Sequence, residues 1–394
     1  MHILANDYEA NIPGATKYGL GGPARFSSQL VESLVKAGHR YTGVVMKNQE
    51  LKEPLFELAA TKGRETYLTL AFPIRLYQSI TKAKKPVKPS KALADAIEAF
   101  RELIRRAEPD IIFINGFDLR VWPLIMAAHL EKIPYVQKHA GIWHKEIAIY
   151  EDFFTAAGRN AMKSMERDIA KHATKQVFLN TFSEDVFQKD VAASPKSQRA
   201  IIPLPTPFVA TKKKPKKKNK RLHIGVVARW DRIKNHAAIL ALAEELISEG
   251  VDAKIHVITN IPETPKDKKM KERYREIIQI HPSTDAKGIL KFFRSMDIAI
   301  LPSHFDVSPT VVLEAASQGI GTIISPTVGW VNHYRKTGNK EWIGDFNKPK
   351  TIIKKIKSLS GKPLSATLLK QLKRDHDPKR VFPQYIKLFK SLTN

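Results

Sequence analysis

The chain has 394 residues, of which 43% are apolar and 27% charged, a length beyond one hydrophobic core and an ordinary globular composition, so two domains are expected. Cysteine is absent, which excludes disulfides, thiol nucleophiles and zinc held through sulfur. A formal net charge of +27 favours a polyanionic partner: nucleic acid, an anionic membrane leaflet or a phosphorylated substrate.

In chain order, HILAN (2–6) reads as a short buried strand. A Gly-rich loop follows, then PARFSSQLVESLVKAG (23–38), with apolar residues at helical spacing and Gly38 as its stop. YTGVVM (41–46), DIIFIN (110–115), YVQKH (135–139) and KQVFLN (175–180) read as buried strands. KALADAIEAFRELIRRA (91–107) and RNAMKSMERDIAKHA (159–173) are predicted helices between them. Strands alternating with helices imply a parallel sheet covered on both faces. The segment 61–90 carries no decipherable signature.

Lysine is concentrated in KAKKPVKPSK (82–91) and TKKKPKKKNKR (211–221), Pro-broken and apolar-poor stretches that read as solvated loops or linkers. After the second the pattern restarts with RLHIGVVAR (221–229), a helix over 235–249 and AKIHVIT (253–259). DIAILPS (297–303), a helix over 309–318 stopped by Gly319, and GTIISP (321–326) follow. The economical reading is two doubly wound domains facing a central cleft: an N-terminal Rossmann-like domain over 1–206, a basic linker over 207–221 and a C-terminal Rossmann-like domain over 222–376. The amphipathic segment 377–394 is expected to pack back on the first domain. Hinges are expected near 206–220 and 375–378. The start MHILANDYEANIPG lacks a signal-peptide pattern and no window is apolar enough to span a membrane, so the expected location is cytoplasmic, with the inner membrane face as a peripheral site.

Three loops that follow strands carry the candidate chemistry. In HFDVSPTVVLEAASQG (304–319), Ser308 is expected to cap a helix that begins at Pro309, with Glu314 in its second turn. A helix start offers unpaired amides and a positive dipole, so Val307, Ser308 and Pro309 suit a phosphate. Glu314 can accept hydrogen bonds from vicinal ribose hydroxyls, and Asp306 can take hydroxyls of a second sugar. In ARWDRIKN (228–235), Arg229 and Lys234 are placed to neutralise a diphosphate. In GLGGPARF (19–26), Gly21 and Gly22 allow close approach of backbone to an anion, although the third glycine of a dinucleotide fingerprint is missing.

These three loops, in this order, resemble those of the family-4 retaining glycosyltransferases of the GT-B fold, and the resemblance spans nearly the whole chain. It implies that Arg229 and Lys234 hold a donor diphosphate, Glu314 the ribose and Asp306 the transferred sugar, with the Gly21–Gly22 backbone near the phosphates. The first acid is Asp where the family usually has Glu. It further implies that His139 faces the donor sugar, with Trp143 and His144 as acceptor-side groups. The implied reaction moves a hexosyl unit from a UDP- or GDP-linked sugar to a hydroxyl acceptor with retention, in cell-envelope or polysaccharide synthesis. His139, Asp306, Arg229 and Lys234 would be its catalytic set. No metal and no cofactor beyond the donor are expected, because two cations and a helix dipole can stabilise the leaving diphosphate. The alternatives are a catalytically inactive sugar- or nucleotide-binding module of the same fold, or a polyanion-binding protein. The lysine runs lack the interleaved aromatics of a nucleic-acid platform.

Overall fold

The computed structural model describes residues 1–15, 22–49, 55–86, 90–206, 221–259 and 265–393. Gly21, most of the 207–221 linker and residues 87–89 of the first lysine run lie outside them. The chain divides into two compact units, Met1–Pro205 with Lys379–Asn394, and Thr206–Pro378.

The first unit begins with β1 (His2–Asp7), α1 (Gly22–Lys36), β2 (Arg40–Gln49), β3 (Leu55–Lys62), β4 (Glu65–Pro73), α2 (Ile74–Thr81) and α3 (Lys91–Ala107). It continues through β5 (Ile111–Asn115), α4 (Trp122–Leu130), β6 (Tyr135–Lys138), α5 (Trp143–Ile149), α6 (Ala156–His172), β7 (Lys175–Phe178), α7 (Thr181–Asp190) and β8 (Arg199–Ile201). Its sheet has the order β3-β4-β2-β1-β5-β6-β7-β8. The central strands β1 and β5 are buried throughout, as strands covered on both faces must be. All pairings are parallel except β3 with β4. That hairpin turns through Gly63 at φ +60°, so one edge of the sheet is antiparallel, where sequence reading finds no strand. The edge position explains the omission: Leu58 is 67% exposed, and a strand open to solvent has no continuous apolar signature.

The second unit contains β9 (Leu222–Val227), α8 (His236–Ser248), β10 (Ala253–Ile258), α9 (Pro265–Arg273), β11 (Ile278–His281), α10 (Ala286–Arg294), β12 (Ile298–Leu301) and α11 (Thr310–Ser317). β13 (Thr322–Ile324), α12 (Val331–Lys336), α13 (Pro349–Leu359) and α14 (Ala366–Asp375) complete it. Its five strands are all parallel, in the order β11-β10-β9-β12-β13. One face of this sheet, with Ile224, Val226, Ile255 and Val257, packs on Leu242 and Leu246 of α8 and Ile352 and Ile356 of α13. The final helix, α15 (Pro378–Lys390), lies on the first unit, with Tyr385 edge-on to Phe26 and Phe113 at ring separations of 5.2 and 5.9 Å.

In both sheets the strand order reverses beside the first strand: β1 lies between β2 and β5, and β9 between β10 and β12. Ligands of open α/β sheets bind at the carboxyl ends of strands at such a switch point. These ends are Asp7 and Asn115 in one unit and Val227 and Leu301 in the other.

Candidate functional site

In the second unit, the loops after β9 and β12 are tied to each other. Past Arg229 and Trp230 the chain makes a short 3-10 turn over Arg232–Lys234, capped by Asp231, whose carboxylate accepts from the Ile233 amide at 3.2 Å. Asn235 then turns the backbone into α8 at φ 54°, a left-handed conformation that Asn tolerates better than most residues. Its side chain accepts from the Ala238 amide at 3.3 Å and donates to the Pro302 carbonyl at 3.2 Å. The His304 amide donates to the Ile233 carbonyl at 2.8 Å. Two hydrogen bonds therefore join the loops directly.

This tie brings Lys234 onto Asp306 as a largely buried ion pair. Asp306 is held from the other side, its carbonyl accepting from the Gly329 amide at 2.8 Å. Arg229 is placed differently: its side chain is 75% exposed, 3.6 Å from the Asp231 carboxylate. The Arg229 carbonyl accepts from His236 Nε2 at 2.6 Å, and the Trp230 ring lies on His236 at 4.1 Å. Burial pushes the His236 imidazole below its ordinary range, so the neutral ring donates here.

Next to Asp306, the start of α11 departs from expectation by one residue. Pro309 is the N-cap, with an extended ψ of 118°, and the helix begins at Thr310; Ser308 makes no cap. The Ser308 hydroxyl is buried with no hydrogen-bond partner among the described residues. Val307 and Pro309 are buried as well, the Pro309 carbonyl accepting from Trp330 Nε1 at 3.0 Å. Glu314 lies on the second turn, enclosed in a helix whose Val312, Leu313, Ala315 and Ala316 are all buried. Lys234, Asp306, Ser308 and Glu314 thus belong to one edge of the second sheet, with an uncapped helix start between the two acids. That edge can present one cation, a bare helix N-terminus and hydroxyl-binding carboxylates to an anionic sugar conjugate.

His139 and Gly22 belong to the first unit. Gly22 opens α1, whose next residue, Pro23, accepts from Asn115 Nδ2 at 3.0 Å, which ties the helix start to the end of β5. His139 is enclosed, stacked on Phe178 at 4.7 Å, against Phe187 at 4.2 Å, with Nε2 3.1 Å from the Gln176 side-chain oxygen. Burial depresses its imidazole to about 3, so it is neutral at any physiological pH. Trp143 spends its indole N–H on the Phe117 carbonyl at 2.8 Å.

Sequence reading overlooked Lys138, which precedes His139 on β6 and is the one lysine or arginine buried among the described residues. The polar triplet Gln137-Lys138-His139 at the end of an otherwise apolar strand is the signal that could have found it. Among the described residues no group of three or more His, Asp or Glu is placed to hold a metal ion.

The sequence profile of the glycosyl transferases group 1 family matches residues 209–375, which include the β9 and β12 loops. The putative glycosyltransferase EpsF of Bacillus subtilis (strain 168) is 29% identical over 111 residues, a segment covering 27% of this chain and 28% of that relative's length. Among solved structures, sucrose-phosphate synthase from Thermosynechococcus elongatus superposes with a TM-score of 0.71 at 13% identity, over 99% of this chain and 98% of that one. A structure described as trehalose-6-phosphate from E. coli bound with UDP-2-fluoro glucose superposes with a TM-score of 0.64 at 13% identity, over 99% of each chain. Residues 209–375 thus match the glycosyl transferases group 1 family, and over its full length the chain has the GT-B fold.

Proposed function

We propose that the protein transfers a hexosyl unit from a UDP- or GDP-linked sugar to a hydroxyl acceptor, with retention and without a metal. The observation that carries this reading is the Lys234–Asp306 pair set beside the uncapped start of α11, where the buried Ser308 hydroxyl lacks a partner among the described residues. In this reading Lys234, Arg229 and the α11 amides hold the diphosphate, Glu314 the ribose hydroxyls and Asp306 the sugar. The bond from the anomeric carbon to the diphosphate oxygen breaks while the acceptor oxygen bonds to the same face, and the acceptor's proton passes to the departing diphosphate oxygen. Cationic and dipolar groups aimed at the leaving group stabilise the charge that develops there. The UDP-2-fluoro glucose bound by the E. coli relative supports a nucleotide-sugar donor. The excess of 27 positive charges supports a lipid-linked or envelope glycan as acceptor at an anionic cytoplasmic membrane face, since each Lys or Arg near such a surface contributes about 1 kcal/mol.

The test is a thermal-shift screen against UDP, GDP, ADP and their sugar conjugates, with Glu314→Ala in parallel and EDTA present and absent. Stabilisation by one nucleotide family, lost in the variant and indifferent to EDTA, is expected. No shift with any nucleotide would favour the inactive-module reading.

A further inference from the structure

The first unit carries a second built group, around His144, which the donor-binding roles above do not use and which the sequence resemblance sets only loosely on the acceptor side. α5 opens at Trp143 after β6, and its N-cap, Ile142, supplies no side-chain hydrogen bond. The first amides are met instead by Glu166 from α6. Trp143 N–H donates to Oε1 at 2.8 Å and His144 N–H to Oε2 at 2.9 Å, while His144 Nδ1 lies 2.5 Å from the same Oε2. The Glu166 and His144 side chains are 2% and 8% exposed. A carboxylate only accepts, so Nδ1 carries the hydrogen, and in the neutral ring Nε2 is left as a bare lone pair. That Nε2 is buried and has no hydrogen-bond partner among the described residues. His139, by contrast, directs its Nε2 to Gln176 and stacks its ring on phenylalanine. A buried polar atom left unmatched is destabilising, so a histidine held by its other nitrogen with this one open is poorly explained by stability alone. The group also lies in the segment leaving the carboxyl end of β6, the edge of the sheet at which ligands bind.

We propose that His144 Nε2 receives the hydroxyl hydrogen of a sugar or polyol acceptor, and that Glu166 is the positioning residue that holds the ring in the required tautomer. The acceptor class rests on the transferase reading above; the donor assignments in the second unit do not enter. The contact orients the acceptor oxygen and adds no covalent step, the proton still passing to the departing diphosphate.

The experiment is imidazole nitrogen NMR on the full chain with isotope-labelled histidine, the His144 signals identified by their loss in His144→Phe. The expected spectrum has Nδ1 protonated and Nε2 bare, and addition of glycerol, glucose or glucose 6-phosphate moves the Nε2 signal without moving Nδ1. A protonated Nε2, or an Nε2 signal that none of the three moves, overturns the proposal. Glu166→Gln is expected to populate the other tautomer; an unchanged tautomer in a folded variant removes Glu166 from its role. If Glu166→Gln fails to fold, the wild-type spectra decide. With an acceptor that supports turnover, His144→Phe should raise its KM about tenfold or more, the effect of one lost hydrogen bond. The nucleotide screen on the same sample separates the two readings: its failure sinks the transferase assignment alone, and an unresponsive Nε2 sinks this one alone.

Discussion

The Lys138 amino group lies 2.8 Å from the Asn115 side-chain oxygen and 4.2 Å from the centre of the Phe26 ring, at the carboxyl ends of β6 and β5. The Asn115 amide in turn donates to Asn6 Oδ1 at 2.8 Å and its side chain donates to the Pro23 carbonyl, so one enclosed amine underpins β1, β5, β6 and the start of α1. Desolvation, with only a neutral oxygen and a ring face to offset it, lowers Lys138 to about 7.

That depression has a sign. Between about pH 7 and the ordinary lysine value the unfolded chain binds the proton and the folded chain does not, so stability rises with pH across that window. Wild type should gain about 1–3 kcal/mol relative to Lys138→Met between neutral and mildly alkaline pH, measured by urea unfolding at each pH. A difference independent of pH would show that the amine stays charged when buried.

Acid sensitivity should arise in part from the second unit. His256 sits between two histidines on neighbouring strands, Nε2 2.8 Å from His223 Nδ1 and Nδ1 3.2 Å from His281 Nε2. Desolvation first, and then the two neighbouring rings, lower His256 to about 4. Below the ordinary histidine value the unfolded chain takes up a proton that the folded chain refuses until about 4, so stability falls as pH drops through that window. His256→Leu should flatten this slope by roughly 1 kcal/mol per pH unit, seen as a smaller fall of Tm with acidification.

The Lys234–Asp306 pair should couple stability as well as bind a donor. A double-mutant cycle with Lys234→Ala and Asp306→Ala is expected to give about 1–2 kcal/mol of interaction energy, above an exposed pair because both side chains are largely enclosed. Coupling near zero would mean that the pair is loose in solution.

Asn235 combines a left-handed backbone, a helix cap and the bond to Pro302. Asn235→Ala should cost about 2 kcal/mol or more, and Asn235→Gly about 1 kcal/mol less, because glycine accepts the positive φ while losing the same side-chain bonds. Equal losses would mean that the backbone is unstrained. The same substitutions should weaken nucleotide binding, since the Asn235 bond to Pro302 joins the loops that carry Lys234 and Asp306.

The alternating strands and helices and the restart of that pattern at the second unit were legible in the residues, because buried parallel strands are continuous apolar runs and glycine stops are local. The Leu55–Lys62 strand was not, because an edge strand shows its pattern only against its neighbour. The helix boundary at Pro309 was missed by one residue, since the extended ψ that makes Pro309 the cap is set by the loop and the Trp330 indole. Sequence spacing put Arg229, Lys234, Asp306 and Glu314 near the ends of strands, for strand ends are where the apolar run stops. Only the tertiary structure could show that Lys234 closes on Asp306 while Arg229 stays in solvent. It also enclosed Lys138 and bound His144 to Glu166, because those contacts join residues from separate strands and helices and burial sets their charge.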